Sequence, residues 1–426
     1  MSAPDRIATL DPSFAGGVIN LQSLLPAHMQ LNTVGNCIVL DDQGILVSAT
    51  TFEAGTDFTD SILLKLKPTG ALDPRFGGGK GYVIEDHKGA HTVKDTWVQS
   101  LGGSRFVAIT QLASTTHNDV IPSLAIYSAD GTLDTGFNGG RLIITTLPPL
   151  GQASGETTLA STLPTPNLHV AVIQSTGAIT FNFRHYAYQA EARDYVIQVT
   201  AQGTLDLTLQ QRGFTQVSYA AGVHMALLGL RKLADGKLLI TGEINGQAAL
   251  AKLLPSGAPD TTFSAGGFKL LDRGIHSALS GLFITANEKI RVIGVRMPSS
   301  QPGQLDRFIQ GFNADGSDDA AFTTTQTDFG PGTLTSGGPI DSTVTDNLLW
   351  CLATVTTQSE TGRKNQVLLS RLLPDGQPDT RFGNAGSWLV PGRGFARALA
   401  IQRDLKSLVL DVNEDSPAFN LRRYLV

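Results

Sequence analysis

Short apolar runs alternate down this chain with clusters of Gly, Asp, Asn, Pro and Ser. Runs of that length, bounded by turn residues, predict β-strands. Leu63-Leu-Lys-Leu-Lys-Pro-Thr-Gly70, Leu124-Ala-Ile-Tyr-Ser-Ala-Asp-Gly131 and Leu368-Leu-Ser-Arg-Leu-Leu-Pro-Asp-Gly376 each carry an apolar strand into a tight turn. Glycine accepts positive φ and aspartate accepts hydrogen bonds from nearby backbone N–H groups, so these endings are turn chemistry. Other strand pairs flank turns at Ile38-Val-Leu-Asp-Asp-Gln-Gly-Ile-Leu-Val47 and Leu230-Arg-Lys-Leu-Ala-Asp-Gly-Lys-Leu-Leu-Ile240. Weaker versions lie around 98–109, 281–293, 343–352 and 398–410. These pairs predict hairpins, and no segment carries a convincing helical period.

The strands sit in a repeat. Leu-Asp-x-x-Phe stands at Leu10–Phe14, Leu72–Phe76 and Leu133–Phe137, and degenerate copies follow at Leu205–Leu209, Pro259–Phe263, Asp318–Phe322 and Pro378–Phe382. The anchor residues are Asp11, Asp73, Asp134, Asp206, Asp260, Asp319 and Asp379, spaced by 62, 61, 72, 54, 59 and 60 positions. A fixed period of this size marks a repeat architecture and overrides a domain count taken from length alone. Each period holds about four strands, and four-stranded units arranged radially make a β-propeller. The expected fold is therefore all-β: a seven-bladed propeller of four-stranded blades, one domain over residues 1–426. The chain opens on the repeat turn and ends on Phe419-Asn-Leu-Arg-Arg-Tyr-Leu-Val426, the strand that precedes such a turn elsewhere. Both termini are expected to share a blade, which closes the ring and removes a sheet edge.

These motifs resemble the bacterial delta-60 repeat family, whose unit joins an Asp-Gly-Lys hairpin, an Arg-Leu strand and Gly-x-Leu-Asp-x-x-Phe-Gly. The best matches are Leu233–Gly242 and Arg371–Gly383, and the resemblance spans essentially the whole chain. It departs in the third repeat, with Leu209 for Phe and Pro164–Asn167 for the Asp-Gly hairpin, and in a later one with Asp318 for Leu. The resemblance implies a propeller-forming module without an assigned activity.

Composition fits that expectation. Glycine is abundant, at 46 of 426 residues, and charged residues make up only 16%, against about 25% in ordinary globular domains. A net charge of −5 gives no basic excess for nucleic acid. No apolar run is long enough for a membrane span, and the N-terminus lacks a secretory signal. The chain is therefore expected to be cytoplasmic, or exported without a cleavable signal peptide, and monomeric. Cys37 and Cys351 are the only cysteines; both sit in apolar runs and are expected as buried thiols.

Several stretches imitate known sites. Arg75-Phe-Gly-Gly-Gly-Lys80-Gly lacks the hydroxyl residue and following helix of a phosphate loop. Asn313–Asp319 lacks the distal glutamate of a calcium loop. The seven repeat aspartates are expected to cap turns rather than form an acid array. No metal or cofactor is expected.

Histidines are placed more suggestively. His91, His224 and His276 each stand eleven residues before a hairpin turn, Arg393 shares that spacing, and His28 has a related position. These residues precede the first strand of a blade and should gather at one mouth of the channel. The long segment 175–194 should add a loop to the same face, carrying Phe181, Phe183, Tyr186 and Tyr188, with His117 in the equivalent loop before it. Loops on a rigid scaffold are where binding usually resides. The expected function is non-catalytic recognition of a protein or carbohydrate partner. The alternative is a hydrolase or lyase with a histidine acid/base site at the mouth, which requires a histidine within reach of a carboxylate.

Overall fold

The computed structural model describes residues 9–425 apart from 53–54, 56–57, 86, 88–90, 115–118, 151–171, 174–175, 188–191, 272–275, 286, 298–305, 323–325, 328–332, 335–340, 346–347, 360–361 and 416–417. Among the described residues, three short 3-10 segments aside, all regular structure is β-strand. Among the described residues, no helix is long and apolar enough to cross a membrane.

The strands form small antiparallel sheets in chain order. Gln30–Val39, Ile45–Phe52, Thr59–Leu66 and Tyr82–Glu85 lie side by side, each paired with the next. The same four-strand order recurs over Ala226–Leu270 and over His276–Thr327. Apolar clusters fill the spaces between successive sheets. Leu46, Leu63 and Phe76 meet Val98, Phe106 and Tyr127, and Leu239, Leu250 and Phe263 meet Leu279, Leu282 and Val292. Middle strands are thus covered on both faces, and Ile45–Phe52 reads as a nearly unbroken buried run.

One joint is continuous. Strand Ile179–Ala187 pairs with its own neighbour Arg193–Val199, and its far end also pairs with Asp119–Ser128 through Tyr186↔Val120 and Ala187↔Asp119. An eight-stranded sheet results. The two ends of the chain meet as well: Val18–Asn20 pairs with Phe419–Leu425, Ile19 opposite Leu421.

The repeat turn has one geometry at all seven positions. Asp73 donates its backbone N–H to the carbonyl of Lys65, Asp134 to Ile126, Asp206 to Gln198, Asp260 to Lys252, Asp319 to Gly311 and Asp379 to Arg371. Asp11 makes the equivalent bond to Arg423, at the opposite end of the chain, at 2.8 Å. Each carboxylate then accepts the N–H two residues on, at 2.9–3.3 Å. Such Asx turns satisfy backbone donors that a sheet cannot reach. Gly77, Asn138, Gln210 and Ser264 donate to carbonyls of Asp130, Gln202, Ser256 and Asp315 in the following hairpin turns. In the loop with the oxygen density of a calcium site, Asp315 is engaged by the Ser317 N–H and hydroxyl. Cys37 and Cys351 are both buried.

Candidate functional site

The first strands of successive sheets pack on one another. Gln30–Val39 lies against His91–Gly102 on one side and Gly394–Ile401 on the other, and Ala226–Lys232 lies against His276–Ile284. The approach is close at Gly35, where a Cβ would stand 1.8 Å from the Thr96 carbonyl oxygen. Asn36 pins the same contact, its amide both accepting from the Val98 N–H and donating to the Val98 carbonyl at 2.9 Å.

Five of these strands carry the same irregularity. Pairing with the second strand jumps from Leu31 to Thr33, Val93 to Asp95, Leu227 to Gly229, Leu279 to Gly281 and Ala396 to Ala398. The skipped residues are Asn32, Lys94, Leu228, Ser280 and Arg397. A bulge leaves one residue out of the ladder and turns its side chain, which is why bulges recur beside functional sites.

Asp95 follows the bulged Lys94. Half-buried, it accepts the Thr96 N–H at 2.8 Å. Desolvation raises its pKa to about 7 against the opposing pull of the Thr96 N–H and the Arg397 charge. Tyr186, half-buried on Ile179–Ala187, is raised first by burial and then by the Asp95 charge, so the two side chains share one environment. Two positions before Tyr186 and on the same face of that strand, Arg184 stands across the ladder from Asp194. Burial raises Asp194 to about 6, opposed by the Arg184 charge and the Leu227 N–H. Burial lifts both carboxyls toward neutrality, the range in which a carboxyl can give or take a proton.

A second buried cluster ties two sheets together. Arg141 bonds Glu85 through Nε at 2.9 Å and Nη2 at 2.6 Å, and its Nη1 lies 3.1 Å from His87 Nδ1. Arginine only donates, so Nδ1 accepts and the neutral ring carries its proton on Nε2, 4.0 Å from Glu85. Burial raises the Glu85 pKa against Arg141. A third group pairs His185 Nε2 with Asp119 at 3.3 Å, and desolvation keeps this histidine below its ordinary pKa.

Each residue nominated from sequence has its own setting. His28 is exposed in the turn before its strand, and His224 is exposed with Nδ1 3.0 Å from the Ser218 hydroxyl. Arg393 is exposed and paired with Glu414 at 3.2 Å and Asp415 at 3.6 Å. His91 and His276 open their strands opposite Ser114 and Met297. Tyr188 and His117 lie outside the described residues. Phe181 and Phe183 require correction: at 0% and 1% exposure they are core residues. The segment expected as a loop holds the strand Ile179–Ala187 and the start of its partner Arg193–Val199, and period-two alternation puts Phe181, Phe183 and His185 on one face and Arg184 and Tyr186 on the other. Of the aromatic group, Tyr186 reaches the Asp95 environment. The groups brought near neutrality are strand carboxyls, Asp95 and Asp194, rather than the mouth histidines. Lys94-Asp95 and Arg397 were visible as charges interrupting apolar strands, a signal that helps only once those strands are known to be central.

A family model described as a domain of unknown function (DUF5122) beta-propeller matches residues 233–263. That supports a propeller repeat and does not single out the delta-60 kind. A search of curated proteins returned no significant match. Among solved structures, the chain is similar to the GH93 α-L-arabinofuranosidase of Fusarium graminearum, with TM-score 0.46 and 8% identity over 96% of this chain and 97% of that one. It is also similar to the acylaminoacyl peptidase of Pyrococcus horikoshii, with TM-score 0.42 and 5% identity over 91% of this chain and 50% of that one. The β-propeller domain of the Trilobed protease from Pyrococcus furiosus follows, with TM-score 0.33 and 12% identity over 78% and 94%. These neighbours are named for glycoside hydrolases and peptidases, and the expectation of a non-catalytic binding protein is withdrawn on that finding.

Proposed function

We propose that the chain is a hydrolase of carbohydrate, built as a single seven-bladed propeller of delta-60-type repeats closed through its termini. The observation that carries the catalytic reading is Asp95, a carboxyl recessed on a central strand, still reachable by solvent, with a pKa raised to about 7. Below that pH it is protonated and can donate its proton to the leaving oxygen of a glycosidic bond. Asp194, ionised above about 6, takes a proton from the attacking water. The C–O bond breaks, the water oxygen adds to the sugar carbon, and two hydroxyl products leave. Solvent exchange then returns both carboxyls to their starting states. The ring reading draws support from the Asp11–Arg423 bond and the pairing of Val18–Asn20 with Phe419–Leu425.

Release of reducing ends from a panel of oligosaccharides tests the assignment. We expect a bell-shaped rate profile with its maximum between about pH 6 and 7, since Asp95 must be protonated and Asp194 ionised. Asp95→Asn should lower kcat by about 100-fold or more with little change in melting temperature. Absence of hydrolysis across the panel, or full activity in Asp95→Asn, would overturn the reading.

A further inference from the structure

The repeat supplies its own measure of how long its turn must be. After the turn a glycine donates its N–H to the carbonyl of the Phe or Leu that ends the motif: Gly17 to Phe14, Gly140 to Phe137, Gly213 to Leu209, Gly267 to Phe263, Gly386 to Phe382 and Gly81 to Phe76. An outer strand starts at the next residue in each case. Two or three residues separate that Phe or Leu from its glycine in the first five pairs, and four, Gly77–Lys80, in the last. The turn closes without that length. Gly77 keeps the shared role and donates to the Asp130 carbonyl at 2.8 Å, in the hairpin turn of the next sheet. The residues after it are open. No atom lies within 4 Å of the place a Cβ would take on Gly78 or Gly79. Among the described residues, the N–H groups of Gly78, Gly79 and Lys80 have no protein acceptor, and the exposed Lys80 ammonium has no ion pair. Gly78 and Lys80 line a cleft of about 330 Å³ together with Val83 of the outer strand and with Asp130 and Thr132 of the next sheet's turn. Asp130 accepts the Ser128 hydroxyl at 2.6 Å and the Thr132 N–H at 3.0 Å, both on Oδ1. These bonds hold its pKa below the usual carboxylate range, and the ionised group keeps acceptor capacity. The cleft therefore has a positive, donor-rich end on one sheet and an acceptor-only end on the next. Turns that present successive N–H groups bind anions, and donors of this number suit the three terminal oxygens of a phosphate. A carboxylate at the far end is met by hydroxyls.

We propose that this cleft binds the phosphate ester of a monosaccharide, with the phosphate on Gly78–Lys80 and sugar hydroxyls on Asp130. Tyr82–Glu85 is the edge of its sheet opposite Gln30–Val39, the strand that packs on the one carrying Asp95. The site is thus separate from Asp95 and stands whether or not that residue cleaves glycosidic bonds. A ligand held at both ends joins the first two sheets and stabilises the folded chain by mass action.

Calorimetric titration of the full chain with glucose 6-phosphate, glucose 1-phosphate, glucose and inorganic phosphate tests it. One ester or both should bind at least about tenfold tighter than glucose or inorganic phosphate, each of which meets one end alone. The ester should also raise the melting temperature. Lys80→Glu, at an exposed side chain without an ion pair, should abolish ester binding and melt as the parent does. Arg75→Gln changes an exposed cation of the same turn that is committed to Asp73 at 2.9 Å. It should keep ester binding, which separates the cleft from general surface charge. Asp130→Asn should narrow the gap between ester and inorganic phosphate. The cleft is refuted if neither ester binds, if inorganic phosphate binds as tightly as the esters, or if Lys80→Glu keeps the affinity. Equal losses in Lys80→Glu and Arg75→Gln would refute it too. None of these readouts depends on cleavage, so they leave the hydrolase reading to its own test.

Discussion

The repeat turn at the joined termini and the one in the third repeat have the same backbone and different chemistry. At the termini, Asp11 is buried, and Arg423 bonds its carboxylate at 2.9 Å while lying 4.5 Å over the Phe14 ring. In the third repeat Asp206 is half-buried, Gln198 replaces the arginine and bonds it at 2.8 Å, and Leu209 replaces the phenylalanine. Cation and ring are lost together. A guanidinium on this strand is held from one side by the carboxylate and from the other by an aromatic face; without the ring, a neutral amide serves better. Other repeats keep the pattern. Arg371 lies over Phe382 and Lys252 over Phe263. At Asp319 the residue eight back is glycine, and Arg291 fills the place from a neighbouring strand, 2.8 Å from Asp319 and over Phe322. Where the carboxylate is only half-buried, as at Asp134, Ile126 takes the cation's position and the more exposed Arg105 supplies the charge at 2.6 Å. Burial of the aspartate, rather than the turn itself, decides whether a buried cation is needed.

Removing residues 1–20 should break the terminal turn entirely, because it deletes Asp11, Phe14 and the paired strand Val18–Asn20. We expect a steep drop in melting temperature, and an unchanged one would show that the terminal pairing carries no stability. Next in size, Arg423→Met removes the guanidinium held between Asp11 and Phe14, leaving the buried carboxylate to Lys406 and Ser13, a loss of about 3 kcal/mol in chemical denaturation. Gln198→Met at the equivalent place should cost only about 1 kcal/mol, since Thr208 still bonds the half-buried Asp206. Equal effects at the two positions would refute the distinction.

Transplanting the terminal pair sharpens it further. Gln198→Arg and Leu209→Phe together should be more stable than the two single changes predict, by about 0.5–2 kcal/mol in a double-mutant cycle. Additivity would mean that cation and ring are independent.

Acid should separate the turns last and most gently. At Asp11, burial raises the pKa, but the Ser13 hydrogen bonds and the Arg423 charge overcome it and bring it to about 2. Asp73 reaches about 2 chiefly through Arg75, and Asp260 chiefly through Thr262. A depressed folded-state pKa gives stability that is present above the unfolded value near 3.8 and lost as pH falls through the folded one. Stability should therefore decline between about pH 4 and 2, and Asp11→Asn should flatten that slope in pH-dependent denaturation.

The turns were legible because they are local: two residues of separation between aspartate and N–H donor can be read directly from a string. The cations eight residues back stand in the same string, as Lys65, Lys252 and Arg371, with Arg423 serving Asp11 from the other end of the chain, yet their purpose was invisible without knowing that strand and turn pair antiparallel. Phe181 and Phe183 misled for the opposite reason. Aromatic density in a long segment resembles a binding loop until the register shows which alternate residues face inward. The bulges at Asn32, Lys94 and Arg397 left no local mark, because a skipped residue is defined by its partner strand.

Periodicity, turn chemistry and apolar runs by themselves determined that this chain is all-β and built from a repeat of about 60 residues, since those depend on neighbours in sequence. The tertiary structure alone decided which charges are buried, which carboxyls are lifted toward neutrality and which first strands pack on one another. Desolvation and Coulomb energies depend on distance through space, and Arg397 and Asp95, some 300 residues apart in the chain, become neighbours only when the sheets pack.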